Sequence, residues 1–346
     1  MSDTKSIRIR PTTTALGEVA DPGRYYLPEN PANLLRADPS RRESVEFLSG
    51  PATLAGHLYR PPGAAAGERT PGVVMCGPIS SVKEQTLPHY GERLADVGYT
   101  VLTFDPRNFG ESEGEPRFRY DPGAVIEDYA NAVSYLLTRA DVDSNRVSAV
   151  GVCMGGGYAV SVGARDKRLR AVVSIAGGYN IGGTFQQFLG VENFAAYYRA
   201  INDLVQKQYE SGEIAYIPTT AKTLSAEAPL VAMLSPEAHS YYDRTSKADA
   251  PNWSRTLTAD SLQSYFLYNS IAHAPLVAPT PLLVVHGTTD TALLPEYAQQ
   301  AYDSALGEKE LVWIETHNHV ELYDQDPYVS EAAAHVIRWL DRHLGV

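Results

Sequence analysis

Cys153 lies in the stretch Arg146 to Gly157, read RVSAVGVCMGGG, where the mostly apolar run Val147 to Val152 meets a thiol, then Met154, then three glycines. An apolar run that breaks into glycines is a buried strand turning abruptly into a helix. Gly151 and Gly155 stand two positions either side of Cys153. They must be small, because a nucleophile on a sharp strand-to-helix turn sits at strained backbone angles, close against its neighbouring strand and helix. The unpaired amides and positive dipole end of the following helix help the thiol ionise. The chemistry on offer is attack by a thiolate through a covalent intermediate.

A thiol nucleophile still wants a base. In folds with such a turn the order along the chain is nucleophile, acid, histidine, with the acid after a late strand and the histidine after the last. Asp290 follows the strand ending at Gly287, in HGTTD, and His319 follows the strand ending near Ile314, in ETHNHVELYD. His319 would take the thiol proton, and Asp290 would fix the imidazole tautomer and balance its charge. His317, two residues away, is the rival base. Asp290 could instead cap a helix starting near Leu294, with Glu296 as a weaker substitute acid. Two backbone amides would form the oxyanion hole: Met154, directly after the nucleophile, and one from the loop after Cys76. In that loop Pro78 has no amide hydrogen, so Ile79 is the donor. Ser80, Ser81, Lys83, Glu84 and Gln85 either line the pocket or open the next helix.

These residues need a scaffold. Ser44 to Gly50 and Ala52 to Pro61 read as a hairpin. Strand-like runs then alternate with helix-like ones. Strands fall at Pro71 to Gly77, Tyr99 to Phe104, Val147 to Val152 and Arg170 to Ala176, and helices at Leu87 to Val97, Ile126 to Arg139 and Gly155 to Ala164. After a gap come a strand at Pro281 to Gly287, a helix at Leu294 to Ala305, a strand at Glu310 to Ile314 and a helix at Tyr328 to Leu344. Strands apolar almost throughout predict an α/β fold: a mainly parallel sheet with helices on both faces and the active site at the strands' carboxyl ends.

Between Gly177 and Pro279 the alternation stops. A structureless loop that long is improbable in a compact domain, so the segment is expected to be an inserted helical cap, with helical runs near Phe194 to Tyr209 and Leu257 to Ser270. It carries Tyr179, Tyr197, Tyr198, Tyr209, Tyr216, Tyr241, Tyr242, Tyr265 and Tyr268, which fit an aromatic or polyketide-like ligand and equally fit packing within the cap. The expected organisation is an N-terminal extension over 1–42, a core over 43–177 and 278–346, and a cap over 178–277.

Composition narrows the class. The chain has 346 residues, 44% hydrophobic and 20% charged, as in ordinary globular proteins. A net charge of -12 would repel nucleic acid and anionic lipid. The first residues lack the apolar core of a secretory signal and no stretch approaches a membrane span, which makes a cytoplasmic protein the expectation. Cys76 and Cys153, the two cysteines, then read as free thiols, with Cys76 a small buried hydrophobe. No metal or cofactor enters this reading. The N-terminal extension and closing helix could support a homodimer.

The segments VMCGPISSVKEQ, FDPRNFGESEGEPR, RVSAVGVCMGGGYA and HVELYD, in this order, make the chain resemble the α/β-hydrolase superfamily from about Val45 onward. Within it the likeness is to dienelactone-hydrolase-like enzymes, whose relatives tailor polyketides and other natural products. The resemblance implies that Cys153, Asp290 and His319 form the triad, and HVELYD favours His319 over His317. Most of the superfamily carries serine where this chain has Cys153, and many relatives carry His-Gly where it has Gly77-Pro78-Ile79.

The sulfur constrains the substrate. A tetrahedral intermediate expels its weaker base, and a thiol with a pKa of about 8.5 leaves far more readily than an alkoxide. Attack on a simple alkyl ester would mostly reverse, whereas a thioester or an enol ester or lactone offers a matched leaving group. The expected substrate is an acyl group, free or carried on coenzyme A or a carrier protein, with water as the final acceptor and no cofactor. Alternatives are an acyltransferase that passes the acyl group to an amine or hydroxyl, and an inactive binding protein that has kept the fold.

Overall fold

The computed structural model describes residues 31–65, 67–221 and 230–345, with the backbone of 13–14 and 17–18. Most of the expected N-terminal extension lies outside the described residues.

Eight strands form the central sheet: β1 (Arg42–Ser49), β2 (Ala52–Tyr59), β3 (Thr70–Cys76), β4 (Thr100–Phe104), β5 (Val142–Val152), β6 (Ala171–Ile175), β7 (Leu282–Gly287) and β8 (Lys309–Ile314). Their spatial order is β1-β2-β4-β3-β5-β6-β7-β8. From β4 to β8 all neighbours are parallel, and only the β1–β2 hairpin and its junction to β4 run antiparallel. This is the mainly parallel α/β sheet that the apolar strands predict. Every residue of β3, β4, β6 and β7 is buried, because helices cover both faces, while the edge strands β1 and β8 are largely half-buried or exposed.

Helices α1 (Leu87–Asp96), α2 (Pro122–Thr138) and α3 (Met154–Arg165) follow β3, β4 and β5. The helix expected from Ile126 starts one turn earlier, at Pro122. Asp121 caps it by accepting from the Ala124 amide at 2.8 Å, Pro122 opens it, and Val125, Tyr129, Ala132, Val133 and Leu136 form one buried stripe.

Among the described residues, 178–277 contribute no strand to the central sheet. They hold α4 (Ile181–Leu189), α5 (Val191–Ser211), α6 (Pro236–Lys247) and α7 (Ser261–Leu267), and a short antiparallel pair, Tyr216–Pro218 with Thr256–Thr258. The helical run expected over Leu257 to Ser270 is therefore shorter. Thr256 and Thr258 are β-branched and flank buried Leu257, a pattern suited to a strand, and the helix starts only at Ser261.

The chain then returns to the core through α8 (Pro295–Ser304), a one-turn helix α9 (Glu321–Asp324) and α10 (Tyr328–Leu344). Helices α1 and α10 pack together on one face of the sheet, and α2 packs on α3 on the other. None of the described helices is long and apolar enough to cross a membrane.

Candidate active site

Cys153 is the residue between β5 and α3, with φ 59° and ψ -123°, angles that a side chain adopts only when its surroundings force them. The surroundings are backbone. A Cβ on Gly151 would overlap the Gly155 carbonyl, and one on Gly155 would overlap the Cys76 carbonyl. The turn is pinned by Cys153 N donating to Ile175 O at 2.9 Å, by the Cys153 carbonyl accepting from Gly156 N and Gly178 N at 2.9 Å each, and by Gly155 N donating to Gly77 O at 3.0 Å. The last of these ties the Cys153 turn to the loop that carries Ile79.

The loops after β7 and β8 bring Asp290 and His319 to the same place. Asp290 Oδ1 accepts from the amides of Ala292 and Leu293 at 2.9 and 2.7 Å, while Oδ2 lies 2.6 Å from His319 Nδ1. One carboxylate oxygen thus fixes the turn before Leu294 and the other faces the imidazole, while α8 itself has no side-chain cap. Thr316 Oγ1 donates to Thr289 O at 2.7 Å, stitching the two loops together. Asn318 Oδ1 accepts from the amides of Val320 and Glu321 at 3.1 and 3.2 Å, which starts α9 directly after the imidazole.

Electrostatics follow from this packing. Burial opposes charge on His319, but the Asp290 carboxylate and the negative form of Cys153 outweigh it and hold the imidazole's pKa well above its ordinary value. Burial likewise opposes charge on Asp290, and His319 more than compensates, keeping the carboxyl below the usual range. His286, on β7 beneath the pair, lies 3.4 Å from Asp290 Oδ2 and donates from Nε2 to Leu293 O at 3.1 Å. Burial pushes its pKa down, so it props the acid loop as a neutral ring.

Cys153, His319 and Ile79 line one cavity, with Phe185, Phe188, Ala232, Met233, Leu234, Tyr265 and Leu293 among its walls. Its free space is about 30 Å³, room for a few water molecules. Met154 opens α3, where a helix leaves its first amides without internal partners. The Ile79 carbonyl accepts from Tyr242 Oη at 3.0 Å, and Tyr242 in turn stacks on Trp253 with ring centroids 4.6 Å apart. Helix α6 thereby holds the Ile79 loop.

Other expected site residues lie elsewhere. His317 is largely exposed and pairs with Glu321 at 3.2 Å. Glu296 accepts from Gln187 at 2.7 Å, away from the imidazole. Ser80 to Gln85 neither begin α1 nor line the cavity. Positive φ at Ser80 and Thr86 breaks the helical path, and Lys83 turns inward to Asp105 at 2.9 Å, Glu84 at 3.0 Å and Glu111 at 2.6 Å. The cap tyrosines mostly pack or brace: Tyr198 donates to Gln263 O at 2.9 Å, Tyr241 bonds Thr86 at 2.8 Å, and of the set expected from sequence only Tyr265 reaches the cavity.

Two residues at the site escaped the sequence, His286 and Tyr323, and Tyr242, one of the expected tyrosines, braces the Ile79 loop and does not line the cavity. Tyr323 Oη lies 2.9 Å from His319 Nε2. Its only signal was the four-residue spacing from His319, one helical turn.

Residues 84–332 match the family described as Alpha/beta hydrolase family. The thiohydrolase aneE of Aspergillus aculeatus is 30% identical over 80% of this chain and 85% of that protein. The polyketide transferase claH of Penicillium crustosum is 28% identical over 77% of this chain and 86% of that protein. The crystal structure of the α/β hydrolase GrgF from Penicillium sp. sh18 superposes with a TM-score of 0.75 at 22% identity, covering 88% of this chain and 99% of that one. With the sheet order, the strained strand-to-helix turn at Cys153 and this family match in agreement, the chain belongs to the α/β hydrolase family.

Proposed function

We propose that the protein cleaves a thioester, or an activated ester such as an enol lactone, through an acyl-Cys153 intermediate. The observation that carries this reading is a thiol, not a hydroxyl, on the strained turn beside a buried imidazole–carboxylate pair. In this reading His319 holds the thiol's proton and Asp290 holds His319. Sγ attacks the acyl carbon, and the oxyanion meets the amides of Met154 and Ile79. The leaving thiolate departs with a proton from His319. Water, deprotonated by the same imidazole, then releases the acid and restores the thiol. No step asks for a metal or cofactor.

The cavity wall favours an acyl group without charge. Apart from His319 and Cys153, its described lining offers no charged side chain, so a carboxylate or ammonium on the acyl chain would lose its hydration uncompensated. In this reading residues 178–277 act as a cap that parts to admit an acyl chain. The remainder of the substrate, whether coenzyme A or a carrier protein, would stay outside.

Acyl transfer to an amine or hydroxyl is the second reading, favoured by the mostly apolar cavity wall, which would disfavour water at the acyl-enzyme. The relative named polyketide transferase suits this second reading, and the one named thiohydrolase suits the first. A panel of acyl thioesters and matched alkyl esters tests both readings, with mass spectrometry of Cys153. We expect an acyl adduct on Cys153 and a preference for thioesters. Faster turnover of the alkyl esters sinks the thioester reading. Partitioning toward added amine or alcohol selects transfer over hydrolysis. A Cys153 inert to both acyl donors and alkylating agents leaves only a binding role.

A further inference from the structure

His319 has two ring nitrogens, and the catalytic one has two neighbours. Nδ1 is taken by Asp290. Nε2 faces the cavity that Cys153 lines, and 2.9 Å from it stands the hydroxyl of Tyr323. The phenol ring packs edge-on against the imidazole, centroids 5.1 Å apart, and against Tyr241, centroids 4.9 Å apart. The backbone behind it is also fixed, since the Leu322 carbonyl accepts from Tyr90 Oη at 2.8 Å. A buried hydroxyl has thus been locked beside the one atom that must exchange protons with the nucleophile.

We propose that Tyr323 is a further catalytic residue, its hydroxyl carrying the proton between His319 Nε2 and the atom that leaves or enters at the acyl carbon. This rests on Cys153 and His319 acting as nucleophile and base. When the imidazole is neutral, the Tyr323 hydroxyl donates to Nε2. When it is protonated, Nε2–H donates to Tyr323 Oη, and the phenolic hydrogen is freed to point at the sulfur of Cys153 or of the leaving group.

In acylation the Cys153 Sγ–acyl bond forms and the acyl–thiolate bond breaks. The Nε2 proton passes to Tyr323 Oη as the phenolic proton passes to the departing sulfur. In deacylation the relay runs backward: the acyl–oxygen bond forms and the acyl–Sγ bond breaks, the incoming water gives a proton to Tyr323 as Tyr323 gives its own to Nε2, and Cys153 leaves as the thiolate beside the imidazolium. Tyrosine ends each step as it began, so the steps balance with no other reactant. Burial, reinforced by the nearby Cys153 charge, raises the phenol's pKa well above its ordinary value and keeps it a neutral donor between steps.

The test is Tyr323→Phe, which keeps the ring and its edge contacts and removes only the oxygen. We expect kcat to fall about 100-fold, as for loss of a general acid–base group, with KM nearly unchanged. A proton inventory in mixed light and heavy water separates relay from packing. The wild-type plot should be curved, from two protons in flight, and the Tyr323→Phe plot linear. Should Tyr323→Phe fold poorly, 3,5-difluorotyrosine at position 323 keeps the shape and acidifies the phenol, and the same curvature with an altered kcat is expected.

Wild-type kcat in Tyr323→Phe, or matching inventories in the two proteins, overturns the proposal. The proposed function fails separately, by absence of an acyl adduct on Cys153 in the wild-type protein. An adduct that forms and clears at wild-type rates in Tyr323→Phe removes the relay alone.

Discussion

Asp290 Oδ2 and His319 Nδ1 lie 2.6 Å apart, although 29 residues and the whole of β8 separate them. A carboxylate at Nδ1 forces the proton there, which leaves Nε2 as the basic atom facing the cavity. Asp290→Asn keeps the shape and loses the charge, so the imidazole no longer prefers that tautomer. Turnover of an acyl thioester should fall by about 10³- to 10⁴-fold, with the far-ultraviolet circular dichroism spectrum unchanged, as steady-state kinetics on the folded variant would show.

Cys153→Ser tests the sulfur itself. The backbone at φ 59° is already strained, and the smaller oxygen fits the same space, so folding should survive. The hydroxyl ionises far less readily than the thiol, and acylation by a thioester should drop by at least about 100-fold. Pre-steady-state release of the free thiol measures that step directly. Serine matching cysteine on thioesters would show that the sulfur has no chemical role.

Tyr242→Phe removes the hydroxyl that holds the Ile79 carbonyl from across the cap. The ring still stacks on Trp253, so the loss is orientation of one oxyanion donor, not packing. We expect kcat to fall by less than the roughly 100-fold that removing a donor outright costs, with little change in the thermal midpoint. Calorimetry and kinetics on the same sample separate the two effects.

Lys83 is almost wholly buried with Asp105, and its pKa is raised because the surrounding carboxylates outweigh the penalty of burial. Replacing it by methionine leaves Asp105 as a buried, uncompensated charge. Lys83→Met should lose about 3–5 kcal/mol of stability, read from urea denaturation. Because Lys83 follows the Ile79 loop by a few residues, activity should fall with it.

Stability should depend on pH from both sides. His319 binds its proton more tightly folded than unfolded, so its contribution is complete below the ordinary value of 6.5 and is lost as pH rises through the higher folded value. Asp290 behaves oppositely: its contribution is present above 3.8 and is lost as pH falls through its lower folded value. Burial, helped by Arg93 and Arg244, lowers His89 to about 4. Keeping it neutral costs stability as pH drops from 6.5, reaching about 3 kcal/mol at pH 4. Urea midpoints across pH should flatten on the alkaline side in His319→Gln and on the acid side in His89→Asn.

Much of the architecture was written locally. The buried run into Cys153, the alternation of apolar strands with amphipathic helices, and the capped start of α2 are each decided by neighbours a few residues apart, and periodicity reports such neighbours faithfully. The elbow's glycines belong here too, since Gly151 and Gly155 contact each other. Short-range pattern also marked the loops that carry Asp290 and His319.

What the chain order did not contain was which groups meet across those loops. Ser80 to Gln85 has the composition of a helix start, yet Lys83 is drawn inward by Asp105, twenty-two residues on, and the helix waits until Leu87. The tyrosines of 178–277 look alike in sequence, and only packing made Tyr242 a brace for Ile79 and left Tyr265 on the cavity wall. Tyr323 gained its place at His319 Nε2 because α9 begins directly after the imidazole and turns its side chain back one turn. Local periodicity sets which face of an element is apolar, while contacts between distant segments depend on how the sheet and its loops close over one another. Only the folded chain determines that closure.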